Sequence, residues 1–234
     1  MIGSRVLRTW GQSESGLAEM LAERIRELDE GGNPTIAFLA SGIEGLKVRI
    51  TARAESQAQL DGMLADEEAR LREIIGHLVF GTDDQNMESV VLDTLRAQGR
   101  TLALAESVTG GLMAARLTAI PGASDVFLGS VVSYASDVKF DVLGVDNGPV
   151  ISEAAAIQMA EGTARVLGAS VGIGVTGVAG PSEAEGQSVG TVHFATTIDG
   201  MTEAGTLAMP GGRDQIRQFS VITILSELRR RLLA

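Results

Sequence analysis

The sequence predicts an α/β protein: a three-layer α/β/α domain with a mixed sheet, preceded by a small α+β domain. Three observations carry that expectation. From Thr101 onward, apolar runs of strand length alternate with amphipathic stretches of helix length, the pattern of a sheet covered on both faces. The last two strand signals are separated by little more than Asp199-Gly200, which implies an antiparallel hairpin in an otherwise crossover-connected sheet. Before these lies a segment of different rhythm, closed by the turn-forming run Phe80-Gly81-Thr82-Asp83-Asp84. The expected domains are therefore 1–82 and 83–234.

In the first domain, Ser4 to Trp10 reads as a strand. Glu14 to Leu28 carries Leu17, Met20, Leu21, Ile25 and Leu28 at helical spacing and stops at Gly31-Gly32. Pro34 to Ala40 and Gly45 to Ala54 form a strand pair, the second alternating through Leu46, Val48 and Ile50, and a charged helix runs from Gln57 to about His77. Asp84 is the expected N-cap of a helix reaching Ala97. Strands follow at Thr101–Ala105 and Val126–Tyr134, with a helix from Thr109 between them and a short one through Leu143 after. A helix over Ser152–Leu167 leads to strands at Val171–Val175, Val189–Ile198 and Thr202–Met209, and a helix from about Asp214 to Leu233 ends the chain.

A chain of 234 residues can bury roughly 70% of its unfolded surface, enough for these two domains without staples. It has no cysteine, which excludes disulfides, thiolate metal sites and a cysteine nucleophile. No group of histidines and carboxylates has metal-ligand spacing, so neither a metal nor a cofactor is expected. The start, Met1-Ile-Gly-Ser-Arg-Val, lacks the apolar core of a secretory signal, and no run approaches about 18 apolar residues. A soluble, cytoplasmic protein is expected. A net charge of −11 makes nucleic acid and anionic membranes poor partners, and an anionic substrate would need a local cation. Only Lys47 and Lys139 among the 19 basic residues can lose a proton near neutrality, since arginine cannot.

Four segments can carry chemistry. Ala105-Glu106-Ser107-Val108-Thr109-Gly110-Gly111 lies where an apolar strand gives way to a helix, the edge at which ligands gather in open α/β sheets. Ser107 there suits a nucleophile, an orienting hydroxyl or part of an oxyanion hole, against the plainer role of helix cap. Pro121-Gly122-Ala123-Ser124 and Ser133-Tyr134-Ala135-Ser136-Asp137-Val138-Lys139 come next, with Lys139 five residues beyond Tyr134. A lysine among apolar groups can activate a serine, in place of histidine. His77 ends the charged helix and His193 lies in a strand, so lysine is the better partner for a serine here. Gly174-Val175-Thr176-Gly177-Val178-Ala179-Gly180-Pro181 is another strand end, and Gly211-Gly212-Arg213-Asp214 brings an arginine suited to phosphate to a helix start.

Taken in order, these segments resemble the C-terminal, nicotinamide-nucleotide amidase domain of the competence- and damage-inducible CinA family. Leu117 to Ser124, Leu143-Gly144-Val145, Met159-Ala160-Glu161-Gly162 and Val189-Gly190-Thr191-Val192 continue the likeness. Arg8-Thr9-Trp10-Gly11, Asn33-Pro34-Thr35-Ile36-Ala37 and Phe80-Gly81 resemble the family's KH-like middle domain. The family's N-terminal molybdopterin-binding-like domain has no counterpart, so its pyrophosphatase activity is not expected. The resemblance implies a hydrolase of pyridine nucleotide salvage that converts nicotinamide mononucleotide to nicotinate mononucleotide and ammonia, a homodimer in a bacterial cytoplasm. It gathers Ser107, Ser124, Tyr134 and Lys139 as catalytic residues, with Thr109, Gly110, Gly111, Thr176, Gly177 and Arg213 binding substrate. Either serine can be the nucleophile; the preferred assignment is Ser124 activated by Lys139, with Ser107 orienting the substrate.

Two departures from the family pattern stand out. Val108 replaces a cysteine, and Ser182-Glu183-Ala184-Glu185-Gly186-Gln187-Ser188 replaces a glycine-rich loop ending in Lys-Pro, putting two carboxylates where the family has glycine and a cation. One alternative reading is a non-catalytic CinA-like module, which the altered loop motivates. Another is a KH-type nucleic-acid-binding protein linked to competence or DNA damage, for which Gly42-Ile43-Glu44-Gly45 matches a GXXG loop; Glu44 and the acidic net charge oppose it.

Overall fold

The structure, a computed structural model, describes residues 1–40 and 42–234. The chain divides into two compact units, Met1–Val90 and Val91–Ala234.

The first unit runs β1 (Ile2–Thr9), α1 (Glu14–Met20), α2 (Ala22–Gly31), β2 (Thr35–Ala40), β3 (Leu46–Arg53), α3 (Gln57–Ile75) and β4 (Val79–Thr82). Its sheet has the order β2-β3-β1-β4, antiparallel throughout. Leu7, Val48 and Ile50 from the strands meet Leu17, Leu21, Leu60, Leu64 and Leu71 from the helices in one core. The single helix expected over Glu14–Leu28 is two, bent at Leu21, whose backbone lies at φ −97° and ψ 4°. Leu21 is fully buried, so packing rather than a breaker residue sets the bend.

The turn expected over Phe80–Asp84 is narrower than its run: Phe80–Thr82 are strand. These residues form β4, paired with β1, and the turn falls at Asp83, in the left-handed region at φ 50°. The N-cap of α4 (Met87–Ala97) is Asn86 rather than Asp84: the Asn86 side chain accepts the Ser89 N–H at 2.8 Å.

After α4, the second unit places β5 (Leu102–Glu106), α5 (Leu112–Thr118), β6 (Phe127–Val132), the short α6 (Ser136–Val138), α7 (Glu153–Leu167), β7 (Val171–Gly177), β8 (Thr191–Ile198), β9 (Met201–Ala208) and α8 (Arg213–Leu233) in sequence. The sheet order is β6-β5-β7-β8-β9. β5, β6 and β7 are parallel, while β8 pairs antiparallel with both neighbours, which makes the sheet mixed. The β8–β9 turn holds Asp199 at φ 50° and Gly200 at φ 85°, as a two-residue hairpin loop requires.

α7 covers one face. A Cβ on Gly174 would come within 2.3 Å of the Ala156 carbonyl, so only glycine lets the helix seat this closely, and Thr163 donates to the Leu104 carbonyl at 2.8 Å. α8 covers the opposite face, where the Arg231 guanidinium donates to Thr196. With both faces covered, β5 is buried at every residue. No helix of the described residues is long and apolar enough to cross a membrane.

Candidate active site

Parallel β5, β6 and β7 end together: Glu106 is in register with Val132 on one side and Val175 on the other. The ladder continues one residue past two of these ends, since Ser107 N–H donates to Val175 O and Ser133 N–H to Glu106 O, each at 2.9 Å. Ser107 and Ser133 thus leave the sheet from fixed positions. A cavity of about 190 Å3 opens at this edge, lined by Ser107, Tyr134, Lys139, Thr176, Gly177 and Arg213, with Ser136 and Ile151 also in its wall.

Glu106 explains how the β5 turn is held. Its fully buried carboxylate accepts the Met113 N–H at 3.0 Å, the Ala114 N–H at 2.9 Å and the Ser130 hydroxyl at 3.2 Å. The start of α5 is therefore capped from within the chain rather than left open for a ligand. Gly110 and Gly111 supply the left-handed residues of the turn, at φ 58° and 89°. Thr109 is buried, and its carbonyl accepts from Arg217 Nη2 at 2.8 Å and Nε at 3.3 Å. Thr109, Gly110 and Gly111 build the turn and are not in the cavity wall. The roles of Glu106 and Arg217 were missed in the sequence, although Arg217 follows Arg213 by one helical turn.

Lys139 is 2% exposed, and its Nζ donates to the Ser133 carbonyl at 2.7 Å. It opens a π-helical turn, Lys139–Leu143, whose wide ladder sends the Gly144 N–H back to the Lys139 carbonyl. Burial lowers the amine below its ordinary pKa, and the Glu185 carboxylate acts in the opposite direction. No carboxylate of the described residues forms an ion pair with it. Tyr134 is exposed, and its hydroxyl accepts from Arg213 Nη2 at 2.7 Å; Arg213 Nη1 donates to the Gly180 carbonyl at 2.9 Å. The Thr176 hydroxyl is committed to the Val150 carbonyl at 2.8 Å.

The structure does not bring Ser124 into this cavity. Ser124 sits in a 3-10 turn, Ala123–Asp125, before β6, whereas Tyr134 and Lys139 follow β6. Six strand residues advance about 20 Å, so Ser124 lies at the opposite edge of the sheet. There it lines a separate open hollow with Pro121, Gly122 and Phe127. The pairing of Ser124 with Lys139 is thereby corrected: the serines that share a cavity with the lysine are Ser107 and Ser136, of which Ser107 leaves the end of β5 from a fixed position. His193 is also outside that cavity; its Nδ1 lies 2.8 Å from the Thr206 hydroxyl, which donates to Glu153. Among the described residues no group of His, Asp or Glu could hold a metal ion.

In the first unit, Gly42–Glu44 forms a 3-10 turn between two antiparallel strands. The Glu44 carboxylate pairs with Arg8 at 3.1 Å and Lys47 at 3.5 Å, so both of these cations are engaged within the protein at the loop that would have to meet a nucleic-acid backbone.

A mixed sheet between helices, with a serine, a buried lysine and an arginine at one edge, has the form of an α/β domain with a strand-end active site. Comparison places it within a family. The CinA C-terminal domain matches residues 84–232 and the damage-inducible protein CinA KH domain matches residues 4–81, so the chain belongs to the CinA family. A CinA-like protein of Frankia casuarinae is 46% identical over 97% of this chain and 54% of its own length. A putative competence-damage inducible protein of Moorella thermoacetica is 41% identical over 100% of this chain and 57% of its own. The chain thus spans about half the length of the curated relatives it matches. Among solved structures, a competence/damage inducible protein of Agrobacterium tumefaciens is 33% identical, with a TM-score of 0.59 over 63% of this chain and 94% of that one. A competence or damage-inducible protein of Enterobacter asburiae is 28% identical, with a TM-score of 0.61 over 62% of this chain and 96% of that one.

Proposed function

We propose that the chain is an amidase that hydrolyses the carboxamide of nicotinamide mononucleotide to nicotinate mononucleotide and ammonia. The observation that carries this reading is the buried Lys139, held by a carbonyl instead of a carboxylate, in one cavity with Ser107 and Arg213. Burial favours the neutral form of a lysine so placed, and in that form one N–H engages Ser133 while the lone pair remains.

Ser107 Oγ attacks the carboxamide carbon while its proton passes to Lys139 Nζ. The tetrahedral intermediate collapses to an ester on Ser107, breaking the C–N bond, and Lys139 returns the proton to the leaving nitrogen, which departs as ammonia. Water then gives a proton to Lys139 and attacks the ester; nicotinate mononucleotide leaves and Ser107 recovers its proton. Arg213 presents a guanidinium for the substrate phosphate, with donors to spare beyond Gly180 and Tyr134.

The direct test incubates the purified chain with nicotinamide mononucleotide and follows ammonia and nicotinate mononucleotide together. Equal amounts of both are expected. A folded protein that releases neither overturns the proposal.

A further inference from the structure

We infer that Glu185 is a specificity residue that favours a positively charged ring beside the carboxamide, so that the site takes N-substituted pyridinium carboxamides over neutral ones. This rests on the amidase reading above and narrows its substrate class.

The loop after β7 is tied to the cavity wall at two points. At its start, the Gly180 carbonyl accepts from Arg213; at its tip, the Glu185 carboxylate accepts the Ile151 N–H at 2.8 Å. Arg213 and Ile151 are both wall residues, so the loop runs along the rim of the cavity. Its tip is a tight hairpin: Ala184 bridges Gln187, and Glu185 and Gly186 occupy the left-handed region at φ 50° and 73°.

Glu185 is the one carboxylate, among the described residues, hydrogen-bonded to a group of the cavity wall. The cation of the wall is Arg213; Lys139, the other basic group there, acts as a neutral amine. The Glu185 charge acts on the Lys139 amine, in the direction opposite to that of burial. A nucleotide whose phosphate meets Arg213 and whose carboxamide meets Ser107 and Lys139 carries its ring between the guanidinium and the amine. A neutral ring gains nothing there. A pyridinium ring gains the attraction of Glu185, which offsets the repulsion from Arg213.

Glu185→Gln removes the charge and keeps a side-chain oxygen for the Ile151 N–H. The probes are nicotinamide riboside, with a cationic ring, and its reduced 1,4-dihydro form, of the same outline and neutral; neither carries phosphate. Each is measured as an inhibitor of mononucleotide hydrolysis by the wild-type and variant proteins. The inhibition constant of the cationic riboside should rise about fivefold in the variant, the scale of one partly exposed charge contact, and that of the dihydro form should stay unchanged. Equal changes in both, or none in either, overturn the inference while leaving the amidase reading standing. Absence of mononucleotide hydrolysis by the wild-type protein overturns both.

Discussion

Replacing Lys139 by methionine asks directly whether this amine moves the proton. Methionine is unbranched and of similar length, so it fits a slot in which the lysine is 2% exposed. The Ser133 carbonyl loses its donor, a cost of about 1 kcal/mol. In return, a group whose charged form is disfavoured by burial is removed, so the fold should survive. Turnover should not survive: losing a general base costs about a hundredfold or more in kcat, or at least ~2.7 kcal/mol in the barrier. KM should move little, because Arg213 remains. Lys139→Arg should lose as much, since a guanidinium keeps the charge but cannot accept a proton.

The lowered pKa of Lys139 fixes two signs. The base must be neutral, so wild-type kcat/KM should rise with pH and level off below the ordinary lysine value of about 10.4. For stability, the unfolded chain binds the proton more tightly than the folded one. Holding the charged amine inside therefore costs stability in full below the folded pKa, and that cost disappears as pH rises past the unfolded pKa. Relative to wild type, the methionine variant should be most stable at neutral pH and lose that advantage toward about pH 10.4. The assays are ammonia release at substrate concentrations below and above KM at each pH, which give kcat/KM and kcat, and thermal unfolding of both proteins. A folded methionine variant that keeps kcat within about threefold of wild type would refute the base assignment.

The serines give a paired test: Ser107→Ala should abolish ester formation and lower kcat by more than about a thousandfold, while Ser124→Ala, at the far sheet edge, should leave it within about twofold. The reverse pattern in steady-state kinetics would exchange their roles. Arg213→Ala should raise KM for the mononucleotide far more than for the riboside, by the ~1.5–3 kcal/mol of a charge-assisted contact; equal losses on both would count against a phosphate contact. In the first unit, Glu67 is 2% exposed and receives Arg24 through both Nε and Nη2, which raises the Arg24 pKa. Glu67→Ala should cost about 3 kcal/mol in urea unfolding, and a loss under about 1 kcal/mol would show the pair to be dispensable.

Much of the second unit was legible because its signals are local. Short apolar runs marked β5 and β7, Ser152 marked the start of α7 by capping it at 3.1 Å, and Asp199-Gly200 marked the hairpin. Ser107, Tyr134, Lys139, Thr176, Gly177 and Arg213 could be grouped because each stands just past a strand, at its end, or at a helix start on one sheet edge. What escaped depends on contacts made across the chain. β4 is four residues long, too short to show alternation, and is defined by its pairing with β1. The bend at Leu21 answers to the core around it. Ser124 was misplaced because the family resemblance joined it to Lys139, whereas a residue before β6 and a residue after it stand at opposite ends of that strand. Thr109, Gly110 and Gly111 looked like ligand contacts because a turn that needs left-handed residues and a turn that admits a ligand are written with the same residues.

The π-helical turn at Lys139–Leu143 makes the length of this segment as consequential as its composition. One residue fewer would restore an ordinary α ladder, and everything on one side of the deletion would rotate by about 100° relative to the other. Lys139, at one end, enters the cavity, while Leu143 and Val145, at the other, sit in a core cluster with Ala105 and Met159. Both placements cannot survive such a rotation. A shortened chain would have to choose between its amine and its packing, so the extra residue acts as a spacer that lets a catalytic address and a structural one be met at once.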